Sequence, residues 1–109
     1  MPTPLTLNTD RDADGTPRVI ATGEIDLSNI DQFNRALTTA SAEARGPITI
    51  DLSAVKYVDS AGINALFDRA ADFEVDQLHI IVHPLLIRVL SISGLNKIAI
   101  VEAAPASGT

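Results

Sequence analysis

Ser60 is the residue on which any chemistry of this chain turns. It stands between Asp59 and the pair Ala61, Gly62, at the end of a stretch running from Ile48 to Ile63. His79 or His83 could be drawn beside it as a general base, and Asp26, Asp51 and Asp59 could be paired as a carboxylate dyad. The surrounding residues argue against both. Val58 stands where a G-x-S-x-G elbow needs glycine. The two histidines flank an apolar strand segment at spacing i, i+4, with no third ligand nearby in sequence, which makes a poor zinc site. Nothing selects a carboxylate pair, and no glycine-rich loop could cradle a phosphate. The expectation is a protein that is not an enzyme, with structural histidines, no cofactor and no metal.

The position of Ser60 says more than its neighbours do. Ile48, Ile50 and Leu52 alternate with Thr49 and Asp51, which is the period of a strand. Ile63, Leu66, Phe67 and Ala70 follow helical spacing, so a helix is expected from Ser60 to about Glu74, with Asn64, Asp68, Arg69 and Asp72 on its wet side. Ser60 therefore falls where a chain leaving a sheet turns into a helix. The first N–H groups there lack intrahelical partners, and the helix dipole favours negative charge. A hydroxyl at that point can cap the helix or carry a phosphate.

The elements that must position Ser60 can be read on either side. Leu5 to Thr9 and Arg18 to Thr22 alternate like the two arms of a hairpin, joined by a turn-rich connection from Asp10 to Pro17. Asp10, Asp12, Asp14 and Gly15 match the opening half of a calcium loop, but Ala21 stands where the bidentate Glu should be, so a solvated acidic turn is expected. Gly23 to Asp26 ends the next strand. Ser28 followed by Asp31 is a capping-box-like start for a helix with Ile30, Phe33, Leu37, Ala40 and Ala44 on one face. Gly46, by a left-handed exit, and Pro47 should stop it. Gln77 to His83 is expected as a central strand covered on both faces, given Leu78, Ile80, Ile81 and Val82. Pro84 opens a short helix carrying Leu86, Val89 and Leu90, Gly94 ends it, and Lys97 to Val101 is a last strand. If the strands ending at Asp26 and Val58 are parallel neighbours, Asp26 and Ser60 project from one edge of the sheet.

Global features bound the function. The 109 residues suit one domain, expected over 1–103 with 104–109 as a frayed tail. A net charge of −6 with no basic cluster excludes the electrostatic footprint of a nucleic-acid binder. The chain has no cysteine, which excludes disulfides and thiolate catalysis and suits a reducing compartment. No apolar run reaches the roughly 18 residues of a membrane span, so no membrane partner and a cytoplasmic location are expected.

Three blocks together carry a family resemblance. They are Gly23 to Asp26 followed by a helix; Ile50 to Leu52 with Val58 to Ile63; and Val89, Leu90 through Ser93, Gly94 and Leu95. In that order, over nearly the whole chain, they resemble the STAS domain, specifically the bacterial anti-sigma factor antagonists of the SpoIIAA type. The resemblance implies an α/β fold, a mixed β-sheet with an N-terminal hairpin and helices packed on it. It implies that Ser60 is the phosphoacceptor of an anti-sigma factor that is also a serine kinase. The unmodified domain would bind that partner and release a sigma factor, the phosphorylated form would not bind, and a serine phosphatase is a further candidate partner. Asp26 and Asp59 match positions near the docking face, expected to comprise Glu24, Asp26, Ser28, Asp59, Ala61, Gly62 and Asn64, with Gly62 letting the partner's backbone come close. Many relatives carry a second small polar residue where this chain has Ala61. The alternatives are a constitutive docking subunit of a stressosome-like or lipid-transport complex and, last, a small hydrolase.

Overall fold

The computed structural model describes residues 4–44 and 46–105. Five strands lie in sequence order across one sheet: β1 (Thr6–Arg11), β2 (Pro17–Ile25), β3 (Ile48–Val58), β4 (Leu78–Val82) and β5 (Ile100–Ala103). β1 pairs antiparallel with β2, and every later neighbour is parallel. Parallel neighbours need crossovers, and three helices supply them: α1 (Ile30–Glu43), α2 (Ser60–Ala70) and α3 (Pro84–Ile92). The mixed α/β sheet with an N-terminal hairpin matches the expected fold. Among the described residues no helix is long and apolar enough to cross a membrane.

Strand alternation sets the layers. Val19, Ala21 and Ile25 of β2, Ile48, Ile50 and Leu52 of β3, and Leu78, Ile80 and Val82 of β4 are fully buried. They form one core with Phe33 and Leu37 of α1, Leu66 of α2, and Leu86 and Leu90 of α3. The alternate positions Arg18, Ile20, Asp51, His79 and Ile81 are only half-buried. β4 is therefore central but not covered on both faces, contrary to what its apolar run suggests. On the less buried face Arg18 forks onto Asp10 with two 2.8 Å hydrogen bonds.

Several boundaries differ from the sequence reading, each for a local reason. Arg18 to Thr22 and Gly23 to Ile25 belong to one strand, β2, which ends before Asp26 and has an irregular register after Gly23, whose φ is +101°. A Cβ there would lie 2.2 Å from the Pro4 carbonyl oxygen, so glycine serves both the bend and the close approach of the segment leading into β1. Helix α1 leaves through Ala44 in an extended conformation, so its exit is made before Gly46 is reached; Pro47 restricts the residue before it. Helix α2 stops at Ala70 rather than Glu74, as the N–H groups of Asp72 and Phe73 turn back to the carbonyls of Arg69 and Ala70. Arg69 is half-buried rather than wet and donates to Thr38 of α1. Gly94 takes the expected left-handed exit. Leu95 to Lys97 then form a 3-10 turn, with Leu95 and Ala99 buried, so β5 starts at Ile100. Of the tail expected at 104–109, residues 106–109 lie outside the described residues.

Candidate functional site

Ile25 pairs with Val58, so β2 and β3 end side by side and send Asp26 and Asp59 out of the same edge. The β3 to β4 pairing stops at Leu52 and Val82. The six further residues of β3 carry its end about 20 Å beyond that pairing, at strand rise. The site sits on this projecting ribbon.

Asp59 organises it. Its backbone is extended, with φ −87° and ψ −174°, and it occupies the N-cap of α2. One carboxylate oxygen accepts the Gly62 N–H at 3.2 Å, and the other accepts the Leu27 N–H at 3.0 Å. The Asp59 N–H donates to the Ile25 carbonyl at 3.1 Å, completing a three-point tie between the ends of β2 and β3. The cap is therefore Asp59, not Ser60. Ser60 is already the first helical residue, past the position from which a side chain reaches back to the N2 or N3 amide. Its side chain is exposed, and the N–H groups of Ser60 and Ala61 precede the first intrahelical bond, from Ile63 to Asp59.

The turn after β2 is built by Asn29, a residue the sequence reading passed over. Its side-chain oxygen accepts the Asp26 N–H at 3.0 Å and its amide donates to the Glu24 carbonyl at 2.9 Å. Asn29, not Ser28, is the N-cap of α1, and with its side-chain oxygen committed to the Asp26 N–H it makes no side-chain cap bond. Ser28 instead donates through both its N–H and its hydroxyl to Asp26 Oδ1. An Asn just past a strand is a turn signal that could have exposed this role.

The expected docking residues divide in two. Ser28, Ser60 and Asn64 are exposed, and Glu24, Asp26, Asp59 and Ala61 are partly so. Ser60 and Asn64, four apart, share a helix face. Gly62 is buried. A Cβ on it would meet Val58 Cγ1 at 2.5 Å and Ile25 Cγ2 at 2.9 Å. Its missing side chain lets α2 settle on β2 and β3, and does not open a path for a partner's backbone. Leu27 was missed and is 76% exposed, while its N–H is held by Asp59. A single apolar residue between Asp26 and Ser28 is the signal that marked it.

The histidines take no part in the site. His79 pairs in register with Thr49, about 30 Å of strand from the end of β3, and its ring contacts Glu102. His83 lies just past β4, where its Nδ1 accepts the Leu85 N–H at 3.0 Å and caps α3. Among the described residues no three His, Cys, Asp or Glu side chains gather as metal ligands. In the β1–β2 turn, Asp12 accepts the N–H groups of Asp14 and Thr16, and Asp10 is taken by Arg18.

Comparison with known proteins places this geometry. A family model described as "Mlab, STAS domain" matches residues 8–102. A crystal structure of an anti-sigma factor antagonist from Mycobacterium paratuberculosis superposes with a TM-score of 0.82 at 25% identity, covering 94% of this chain and 88% of that one. The anti-sigma factor antagonist SpoIIAA in its unphosphorylated form gives a TM-score of 0.71 at 19% identity, over 93% of this chain and 90% of that one. The Bacillus cell fate determinant SpoIIAA in its phosphorylated form gives 0.66 at 19% identity, over 93% of each chain. With the family model spanning the Ser60 junction and reaching every strand of the sheet, the chain belongs to the STAS domain family.

Proposed function

We propose that this protein is an anti-sigma factor antagonist that works as a phosphorylation-controlled binding switch, with no chemistry of its own. The observation that carries the reading is the Ser60 hydroxyl, which is exposed on the first helical residue and relieved of capping by Asp59. A kinase can take that hydroxyl without dismantling the helix start. The likeness to an anti-sigma factor antagonist at 25% identity supports the role, and a phosphorylated form of one fold relative supports the modification.

The unmodified edge, with Leu27 and Ser60 exposed among Glu24, Asp26 and Asp59, binds an anti-sigma factor with serine kinase activity and frees its sigma factor. A phosphate on Ser60 adds about −1.5 to −2 charges. Docking would then bury a dianion beside Asp59, and losing a complementary buried contact costs about 2–5 kcal/mol, or roughly 30- to 4,000-fold in affinity. A serine phosphatase resets the switch.

The test is recovery of the partner from native lysate, phosphosite mass spectrometry, and titration of the purified partner with three proteins at matched salt. The parent and Ser60→Ala should bind within about 1 kcal/mol of each other, since the variant loses no cap. Ser60→Asp should bind more weakly, though less so than the phosphoprotein. Equal affinities for all three, with no phosphate on Ser60 in cells, would instead leave a constitutive docking subunit.

A further inference from the structure

Helix α3 is apolar on both sides. Leu86 and Leu90 face the core, at 8% and 1% exposure. On the solvent-facing side Leu85, Val89 and Ile92, spaced i, i+4, i+7, are 68%, 48% and 79% exposed. The water-facing side of a helix packed on a core is ordinarily polar, and scattered single exposures do not fall into register like this.

The charges around this stripe say what would cover it. The chain carries −6, yet from Leu78 to Val101 it has no Asp or Glu, and it places Arg88 and Lys97 there. Arg88 is exposed, three residues from Leu85 and four from Ile92, on the flank of the stripe. Lys97 is exposed in the 3-10 turn that packs on α3. The surface is thus an apolar ridge with a cationic border on an otherwise acidic molecule. We infer that α3 is a second docking surface, which takes an amphipathic helix from another protein whose apolar face is bordered by Asp and Glu.

Two other occupants fit less well. A second copy packed about a two-fold axis would bring Arg88 against its own counterpart. An anionic membrane would be repelled by the net charge, and three side chains on a nine-residue helix give it little apolar area to hold. The surface is also separate from the Ser60 edge. α3 starts at the level where β4 leaves β3, about 20 Å of strand short of the site, and returns toward the start of β5.

The probes are two fluorescein-labelled helical peptides of about 18 residues, long enough to hold a helix. They share one Leu/Ile stripe, bordered by Glu in one and by Lys in the other. Fluorescence anisotropy with the full chain at low salt should show binding of the Glu-bordered peptide and not of the Lys-bordered one. Arg88→Glu should weaken the first by about tenfold or more and admit the second, as like charges are exchanged for unlike. Leu85→Ser with Ile92→Ser should abolish binding at an unchanged melting temperature, since both side chains are mostly in water. Ser60→Asp should bind the Glu-bordered peptide like the parent. The proposal is overturned if neither peptide binds or if both bind regardless of Arg88→Glu. It is also overturned if sedimentation reveals a dimer that Ile92→Ser dissociates, or if the chain binds phosphatidylglycerol vesicles through α3. A matching loss of peptide binding in Ser60→Asp would merge the two surfaces and overturn their separation.

Discussion

The side chain of Asp59 accepts the backbone N–H of Leu27 at 3.0 Å across a sequence separation of 32 residues. Its other oxygen serves Gly62, so one carboxylate holds both the loop leaving β2 and the first turn of α2. The exposed Leu27 and Ser60 are thereby fixed relative to each other before any partner arrives, which lowers the ordering entropy a docking event must overcome.

Removing that carboxylate should be felt in two places at once. Asp59→Ala loses a helix cap, typically about 0.5–2 kcal/mol, and a charge-assisted bond to Leu27. A total loss of about 2–3 kcal/mol is expected in denaturant unfolding, with Asp59→Asn losing less because one acceptor oxygen remains. Amide exchange should quicken at both Leu27 and Gly62. A stability loss confined to Gly62 would show that the loop is held by other contacts.

Gly62 should act through packing. Gly62→Ala places a methyl against Val58 and Ile25, an overpacking that typically costs about 1–3 kcal/mol. Better helix propensity returns up to about 1 kcal/mol. A net loss of about 1–2 kcal/mol is expected, and a larger one for Gly62→Val. Full stability combined with lost partner binding would instead return Gly62 to the docking surface.

The fold was legible where one periodicity dominated. Phe33, Leu37 and Ala40 of α1 and Ile48, Ile50 and Leu52 of β3 are buried as their spacing required. The edge carrying Ser60 was legible too, because parallel pairing of β2 and β3 follows from the intervening helix. What failed was the assignment of small polar residues to caps. Ser60 and Ser28 each lie one residue away from the true N-caps, Asp59 and Asn29. Ser, Asp and Asn cap about equally well, so the choice among adjacent ones depends on backbone dihedrals set by tertiary bonds such as that of Asp59 to Leu27. Gly62 was misread for a related reason: a glycine's spacing does not reveal which side of the helix is covered.

The pairing of Asp10 with Arg18 on the hairpin gives a pH dependence whose sign can be derived. The hydrogen bond from Arg18 holds the Asp10 carboxyl below its ordinary value. A depressed folded-state value stabilises the protein above the unfolded value, near 3.9, and that contribution fades as pH falls through the folded value. Arg18 is raised by the same pair, so its share disappears only in strong alkali. Asp10→Asn should therefore lower the unfolding midpoint at pH 7, with a gap to the parent that narrows toward pH 3. Because the pair lies at the surface, 1 M salt should narrow it as well. A gap constant from pH 7 to pH 3 would assign the effect to something other than charge.

Negative charge at Ser60 should leave the fold standing. The N–H groups of Ser60 and Ala61 point out of the first turn of α2, and a charge there is favoured by about 0.3–1 kcal/mol. Asp59 is the nearest opposing charge, and both its oxygens already accept backbone N–H groups, which offsets part of the repulsion. The two effects should nearly cancel. Ser60→Asp and the phosphoprotein are expected to melt within about 4 °C of the parent, the equivalent of roughly 0.5–1 kcal/mol for a domain of this size. Ser60→Ala should fall in the same range, because Asp59 keeps the cap. The measurement is a thermal melt of the parent, both variants and the phosphoprotein in one buffer, set beside their affinities for the proposed anti-sigma partner. A large drop in melting temperature on phosphorylation would mean that the switch works by loosening α2, and that lost affinity follows from local unfolding rather than from the charge at the docking edge.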